Sequence, residues 1–391
     1  MLIAATTFMG CSVLQGRTFK RQTHRSLRSA ETLDRVLPLR GVVGVTRLAN
    51  VTGLDSLGIP VFTAIRPNSR SLSVAHGKGT DEASAKASAL MEAVELYCAE
   101  HTRLPLRLGR YCDLSPDNAI DVALLPHRRG RDFDPELPIL WTWVTDICRD
   151  TNVLVPFEMI HTDFTLPLPQ GTGFFPMTST GLASGNCLAE ALVHGLCEVI
   201  ERDAYARWQS KFTAKRTAVD IDTIACPMTS TLVDRILGSG CTLQLEDITT
   251  DVGVPVLFAQ ISGAGEGSLI TERPAGGFGC HPDRNWACVR AITEAVQSRM
   301  ARIVGLRDDL TGREFASSVP REGNDEEKIA SKSINGIESA VSELIEEDLR
   351  WVLGRLRKAN RRSVLVADLS PRDAPFCVVK VIVPGLASPS V

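Results

Sequence analysis

The chain has 391 residues, of which 44% are hydrophobic, and carries a net charge of −3 at neutral pH. That length suits one large or two ordinary globular domains with a substantial core. The near balance of charge argues against a nucleic-acid binder or a protein that works on acidic membranes, and no apolar run approaches the ~18 residues of a membrane span.

Residues 1–35 read as an irregular, basic arm, with RTFKRQTHRSLR at its heart. The MGC at 9–11 resembles a lipoprotein cleavage site, but the basic n-region that should precede it is missing, so no processed signal is expected. Residues 36–391 read as one globular body with room for subdomains. The eleven cysteines are scattered, with no C-x-x-C and no Cys/His zinc spacing. That usage points to a reducing compartment, and so to the cytoplasm.

Along the body, short β-like runs alternate with helical ones. Strands are expected at 60–66, 71–76, 138–147, 153–160, 241–249, 254–262, 363–369 and 376–383. PNSR at 67–70 and RDTN at 149–152 are turn sequences that join their neighbours into hairpins. A charged amphipathic helix is expected over 334–360. The fold class is α+β, with at least one antiparallel sheet.

A repeat runs through the chain. AKASALMEAVE from Ala85, ALVHGLCEVIE from Ala191 and ACVRAITEAVQ from Ala287 each open on alanine. Each then carries a polar residue (Ser88, His194, Arg290), a small one (Ala89, Gly195, Ala291) and a glutamate (Glu92, Glu198, Glu294). Glu95, Glu201 or Gln297 follows one turn later. A glycine-bearing stretch, read as a loop, precedes each: AHGKGT, GLASGN and GGFGCH.

Residues at i, i+4 and i+7 share a helix face. Ser88, Glu92 and Glu95 have that spacing, as do Arg290, Glu294 and Gln297. In the second segment Asn186, Glu190, His194, Glu198 and Glu201 fall on one face. The bland reading of such a stripe is a solvated surface. Its flanks, however, are Ala, Leu, Val and Ile, and glutamates stacked on one face repel unless a cation intervenes. Mg²⁺ takes oxygen ligands and bridges carboxylates to nucleotide phosphates. Glycine stretches ahead of helices offer backbone N–H groups to phosphate, and Arg202 and Arg290 offer planar guanidinium donors. Together these features point to an ATP site built from helix side chains. No Walker motif is present, since GKGT at 77–80 is too short. A di-iron centre would need Glu-x-x-His pairs, and the third residue after each glutamate is Glu95, Glu201 or Gln297.

SALMEAVE at 88–95, the SGN-x3-EA-x3-G-x2-E-x2-ER of 184–202 and the RAITEA-x-QSR of 290–299 resemble the motifs of the YcaO family, over the chain from about Arg40 onward. Members of that family use ATP and Mg²⁺ to phosphorylate a backbone amide oxygen of a peptide as a nucleophile attacks, and then eliminate phosphate. A Cys, Ser or Thr side chain gives an azoline ring; external sulfide gives a thioamide. The resemblance implies a YcaO-type fold of repeated strand–helix modules, whose three helices converge on the ATP/Mg²⁺ site, and makes 36–391 the catalytic domain. It places Glu92, Glu95, Glu198, Glu201 and Glu294 at the metal. Ser88, Asn186, Glu190, Arg202, Arg290 and Gln297 go to the nucleotide.

The azoline-forming branch often ends in P-x-P-x-P, whereas this chain ends VIVPGLASPSV. The wording of its second and third motifs resembles the subgroup that works beside a TfuA-type partner. Thioamide formation in a ribosomally made peptide or protein is therefore the leading expectation, azoline formation the alternative, and a non-catalytic scaffold a third. The expected partners are a precursor peptide or protein and a TfuA-like or leader-binding protein, with a homodimer compatible; no nucleic acid or membrane is expected. His194 fits either a catalytic base or a packed core histidine. Cys187 and Cys280 fit sulfur carriers less well than buried thiols. His281 suits a cap or loop lining, and Lys78 either a phosphate contact or an exposed turn.

Overall fold

The computed structural model describes residues 13–21, 23–169, 171–210, 217–263, 274–305 and 330–387. The MGC at 9–11 and Pro389 lie outside them. In chain order the elements are α1 (Ser29–Val36), β1 (Arg47–Asn50), β2 (Val61–Ile65), β3 (Val74–Lys78), α2 (Glu82–Glu100), β4 (Leu106–Gly109), β5 (Ile139–Asp146) and β6 (Thr151–Pro156). There follow β7 (Leu182–Gly185), α3 (Leu188–Ser210), β8 (Thr217–Asp220), α4 (Pro227–Gly238), β9 (Thr242–Asp247), β10 (Val256–Ser262) and β11 (Ala275–Cys280). The last are α5 (Arg284–Val304), β12 (Ala330–Ser333), α6 (Ile345–Lys358), β13 (Leu365–Asp368) and β14 (Cys377–Ile382).

The chain divides into two compact units, each discontinuous in sequence. One comprises Met1–Leu27, Glu95–Ala206 and Ser342–Val391, the other Arg28–Val94 and Arg207–Val341. Two of the boundaries fall inside α2 and α3, where no change of composition marks them.

The unit centred on Arg207–Val341 holds two sheets. β1, β2 and β3 form an antiparallel meander, with PNSR turning between β2 and β3 as expected. β11-β10-β9-β8-β12 form the second sheet, antiparallel except for the β8–β12 pair. Inward-facing residues alternate along β9 and β10, so Leu243, Leu245, Leu257, Ala259 and Ile261 share one core with Ile236 of α4 and Ala291, Ile292, Ala295 and Val296 of α5. Each Leu, Ile or Val among them contributes about 1.5–3 kcal/mol when fully buried.

The other unit is built on the sheet β4-β5-β13-β14-β7, with β6 also paired to β5 across the RDTN turn. Trp141 of β5 is wholly buried and donates its indole N–H to Gly109 O at 2.9 Å. α3 lies on β7 and β14. A Cβ at Gly195 would meet Val381 Cγ2 at 2.8 Å and Gly181 O at 3.2 Å.

Three expectations need correcting. The glycine stretches ahead of the repeat helices lie in strands: β7 and β11 stand where loops were expected, and β3 runs on through Gly77 and Lys78 beyond the strand expected at 71–76. Their glycines let a helix lie directly on a strand. A Cβ at Gly77 would sit 2.1 Å from both Ala85 O and Ala89 N, and one at Gly279 would sit 2.1 Å from Ala287 O and 2.4 Å from Ala291 N. Ala85 and Ala287 open their repeats, and Ala89 and Ala291 are the small residues within them. The repeat's small residues are thus the helix face pressed on the strand.

The helix expected over 334–360 starts only at Ile345. Phe19 bridges Leu344 as an antiparallel pair, and the N–H of Ile345 bonds to Thr18 O at 3.0 Å. This pairing holds the backbone extended up to the helix. From Ile345 the charged helix buries Leu349, Val352 and Leu356 along one face.

The segment read as an irregular arm contains α1 and, before it, a run of fixed contacts. Thr18 donates from its N–H and hydroxyl to buried Glu346, at 2.8 and 2.6 Å. Lys20 pairs with buried Asp348 at 2.5 Å.

Candidate functional site

None of the residues on the three polar stripes is exposed: each is buried or half-buried. The solvated-surface reading therefore fails.

In the unit that holds most of α3, seven of the expected residues lie together. Glu95 is buried, and one carboxylate oxygen accepts both the N–H and the hydroxyl of Ser184 on β7, at 2.7 and 2.6 Å. Glu190 is buried and fully engaged. It accepts from Asn186 Nδ2 at 3.1 and 3.3 Å, from Ser26 N–H and hydroxyl at 2.9 and 2.8 Å, and from Arg25 at 3.1 Å. Arg202 reaches buried Glu201 at 3.7 Å.

Arg25 also lies 3.4 Å from Nδ1 of His194. A guanidinium only donates, so Nδ1 must accept and the ring proton sits on Nε2. With Arg25 against it, Nδ1 is not open to act as the base.

Glu198 lines this set, densely surrounded by protein while part of its surface stays open. Burial pushes its carboxyl well above the ordinary range. Glu201 and Glu95 add to the rise, while Arg202 and Lys380 oppose it. Lys380, buried on β14, donates to Thr178 O, and its own pKa is pushed down by burial.

These directions make a test. The folded state holds a proton on Glu198 that the unfolded chain releases near pH 4.5. The group's contribution to stability is therefore full below that pH and lost as pH rises. Lys380 acts on the alkaline side and does not mask this limb. In urea titrations, the stability of the wild type relative to Glu198→Gln is expected to decline from pH 5 to 7, by at most about 1.4 kcal/mol per pH unit. A pH-independent difference would mean that Glu198 is ionised throughout.

The other unit holds Ser88 and Glu92 on α2 and Arg290, Glu294 and Gln297 on α5. There β3 packs against both helices. α2 presses on it at Gly77, while Gln297 donates to His76 O at 2.6 Å and Lys78 pairs with Glu294. The second oxygen of Glu294 accepts the Phe278 N–H of β11 at 3.3 Å.

The donor set fits the expected ligands. Carboxylates that crowd one another, as Glu201 and Glu95 crowd Glu198, form a hard-oxygen environment that a divalent ion relieves. Glu95, Glu198 and Glu201 are such a group. Arg202 and Arg290 carry the forked donors that phosphate takes.

Two cysteine expectations gain support from burial. Cys280 is wholly buried. Burial pushes the Cys187 thiol up, away from the thiolate that a sulfur carrier needs. His281 accepts the Asp283 N–H at 3.0 Å and so braces the N-cap of α5.

Sequence reasoning missed Arg25, Ser26, Ser184 and Lys380. Only one signal pointed to them: a buried glutamate such as Glu190 demands donors, and the basic arm was a ready source.

The family model described as YcaO cyclodehydratase, ATP- and Mg²⁺-binding, matches residues 76–387. The chain belongs to the YcaO family. ATP and Mg²⁺ are thus the ligands of its family. A protein from the tfuA 3′ region of Rhizobium leguminosarum bv. trifolii is 35% identical over 374 residues, covering 93% of this chain and 88% of that one. A heterocyclase solved in complex with substrate and cofactor matches with a TM-score of 0.80 at 25% identity, over 95% of this chain but 54% of the other. YcaO from Methanopyrus kandleri, bound with AMPPCP and Mg²⁺, matches with a TM-score of 0.71 at 24% identity, over 93% and 92% of the two chains. The mixed helix-and-sheet architecture is that of YcaO proteins. Among the described residues no helix is long and apolar enough to cross a membrane.

Proposed function

We propose that this chain activates a backbone amide of a peptide or protein and replaces the amide oxygen with sulfur. The observation that carries the choice of sulfur is the relative from the tfuA 3′ region, similar over nearly the full length of both chains. It favours a TfuA-like partner, which would deliver sulfide or recognise the substrate. When bound, ATP and Mg²⁺ supply the phosphoryl group that turns the amide oxygen into a leaving group, a transfer governed by positioning and charge neutralisation.

The chain's own residues hold and screen. Glu92, Glu95, Glu198, Glu201 and Glu294 are assigned to the metal. Ser88, Asn186, Arg202 and Arg290 are assigned to the nucleotide, with Glu190 and Gln297 fixing their surroundings. The partners of Glu190 and Gln297 support those supporting roles: Glu190 clasps Arg25, Ser26 and Asn186, and Gln297 braces β3. His194, with its proton on Nε2, suits hydrogen-bond donation to an incoming group; acting as a base would require Arg25 to withdraw.

Ring closure is the second reading, favoured by the similarity to a heterocyclase in complex with substrate and cofactor. Both reactions consume ATP and release phosphate, but their products differ in mass. The test is mass spectrometry of the precursor peptide after incubation with this protein, ATP and Mg²⁺, with and without sulfide and the TfuA-like partner. The expected product is heavier by the difference between sulfur and oxygen, and forms only with a sulfide source. Loss of one water without sulfide, mapped to Cys, Ser or Thr, would assign the azoline reaction instead.

A further inference from the structure

Lys78 ends β3 in the sequence GKG, and the assignments above do not use it. Its ammonium meets one oxygen of Glu294. Neither partner is an open surface group, with side chains 20% and 21% exposed. The backbone around it is fixed from two sides. Gly77 and Gly79 admit α2 directly, since a Cβ at Gly79 would lie 2.5 Å from Ala85 N, and Gln297 of α5 is bonded to His76 O. The other oxygen of Glu294 is occupied by the Phe278 N–H. Lys78 is therefore a cation held in place against a stripe carboxylate. It is not the freely swinging lysine of an exposed turn.

An ammonium is a compact charge with three donors, and Glu294 takes one. A divalent ion at Glu294 would compete for the same carboxylate. Lysine displaced from it needs another anion, because an unpaired charge in a half-buried place is costly. A nucleotide phosphate, arriving with the metal, supplies one.

We propose that Lys78 is a phosphate ligand that holds Glu294 in orientation while nucleotide is absent and passes to a phosphate oxygen when ATP and Mg²⁺ bind. The inference rests on the ATP reading above. It has consequences of opposite sign: Lys78 opposes binding of Mg²⁺ by itself and favours binding of ATP with Mg²⁺.

Titration calorimetry of the wild type, Lys78→Met and Lys78→Arg distinguishes these effects, using MgCl₂ alone and then ATP at saturating Mg²⁺. Urea unfolding of the nucleotide-free proteins accompanies it. Lys78→Met is expected to bind ATP roughly 10- to 100-fold more weakly, as for loss of one charge-assisted hydrogen bond, yet to bind Mg²⁺ at least as tightly as the wild type. Lys78→Arg should recover most of the ATP affinity. Wild-type ATP affinity in Lys78→Met would overturn the proposal. So would parallel loss of Mg²⁺ binding, ATP binding and stability in both variants, which would mark Lys78 as a structural strut. If the wild type itself bound no ATP, the underlying reading would fall, and the proposal with it.

Discussion

Gly279→Ala is expected to destabilise the protein by about 3 kcal/mol or more, the upper range of overpacking costs. The added methyl would lie 2.1 Å from Ala287 O and 2.4 Å from Ala291 N. Both are backbone atoms of α5, so the clash cannot be relieved by turning a side chain; the helix must lift from β11. Lifting it would expose Ala291, Ile292 and Ala295, which are wholly buried. Against a total stability on the order of 5–15 kcal/mol, that is a large fraction. Gly354→Ala provides a contrast of opposite sign. Gly354 is exposed within α6 and nothing lies within 4 Å of a Cβ built there, so alanine should stabilise by about 0.5–1 kcal/mol. Urea unfolding of the two variants beside the wild type checks both. Equal stability of Gly279→Ala and the wild type would show that the small residues of the repeat are not a strand-packing face.

That face also explains what the sequence revealed and what it hid. Strands β2, β5, β6, β9, β10, β13 and β14 were legible because they are rich in Val, Ile, Leu, Trp and Phe, as half-buried pleats require. β7, β11 and the Gly77–Lys78 end of β3 read as loops because LASG, AGGFGC and HGK contain the small residues that close helix contact demands, and such residues have poor strand propensity. The tertiary requirement overrode the local one. The same contact made the repeat visible: a helix that must press on a strand keeps alanine and glycine at fixed positions, so Ala85, Ala191 and Ala287 stand in register.

The stripes were legible because helical period places Glu92 beside Glu95 and Glu198 beside Glu201, and because their flanks are apolar. What surrounds them was not. Arg25 and Ser26 are far from Glu190 in sequence, and nothing local to the basic arm tells a tethered segment from a loose one. Lys380 reads as one more lysine until β14 carries it beneath α3. The start of α6 differs for the same reason: Phe19, distant in sequence, pairs with Leu344 and keeps that residue extended at the head of the helix.

The central claim is that one glutamate from each repeat helps to hold ATP and Mg²⁺. Titration calorimetry with ATP, in the presence and absence of Mg²⁺, tests it most directly on the wild type and on Glu92→Gln, Glu198→Gln and Glu294→Gln. Glutamine keeps the size and hydrogen-bonding reach of each side chain but removes the charge that a hard cation requires. Glu198→Gln also relieves a carboxyl held in a costly environment, so its fold should persist and a binding loss could not be blamed on unfolding. The wild type should bind ATP only with Mg²⁺. Each variant should lose at least the roughly 100-fold that even outer-shell partners of a metal can contribute. Wild-type affinity in all three variants would contradict the account.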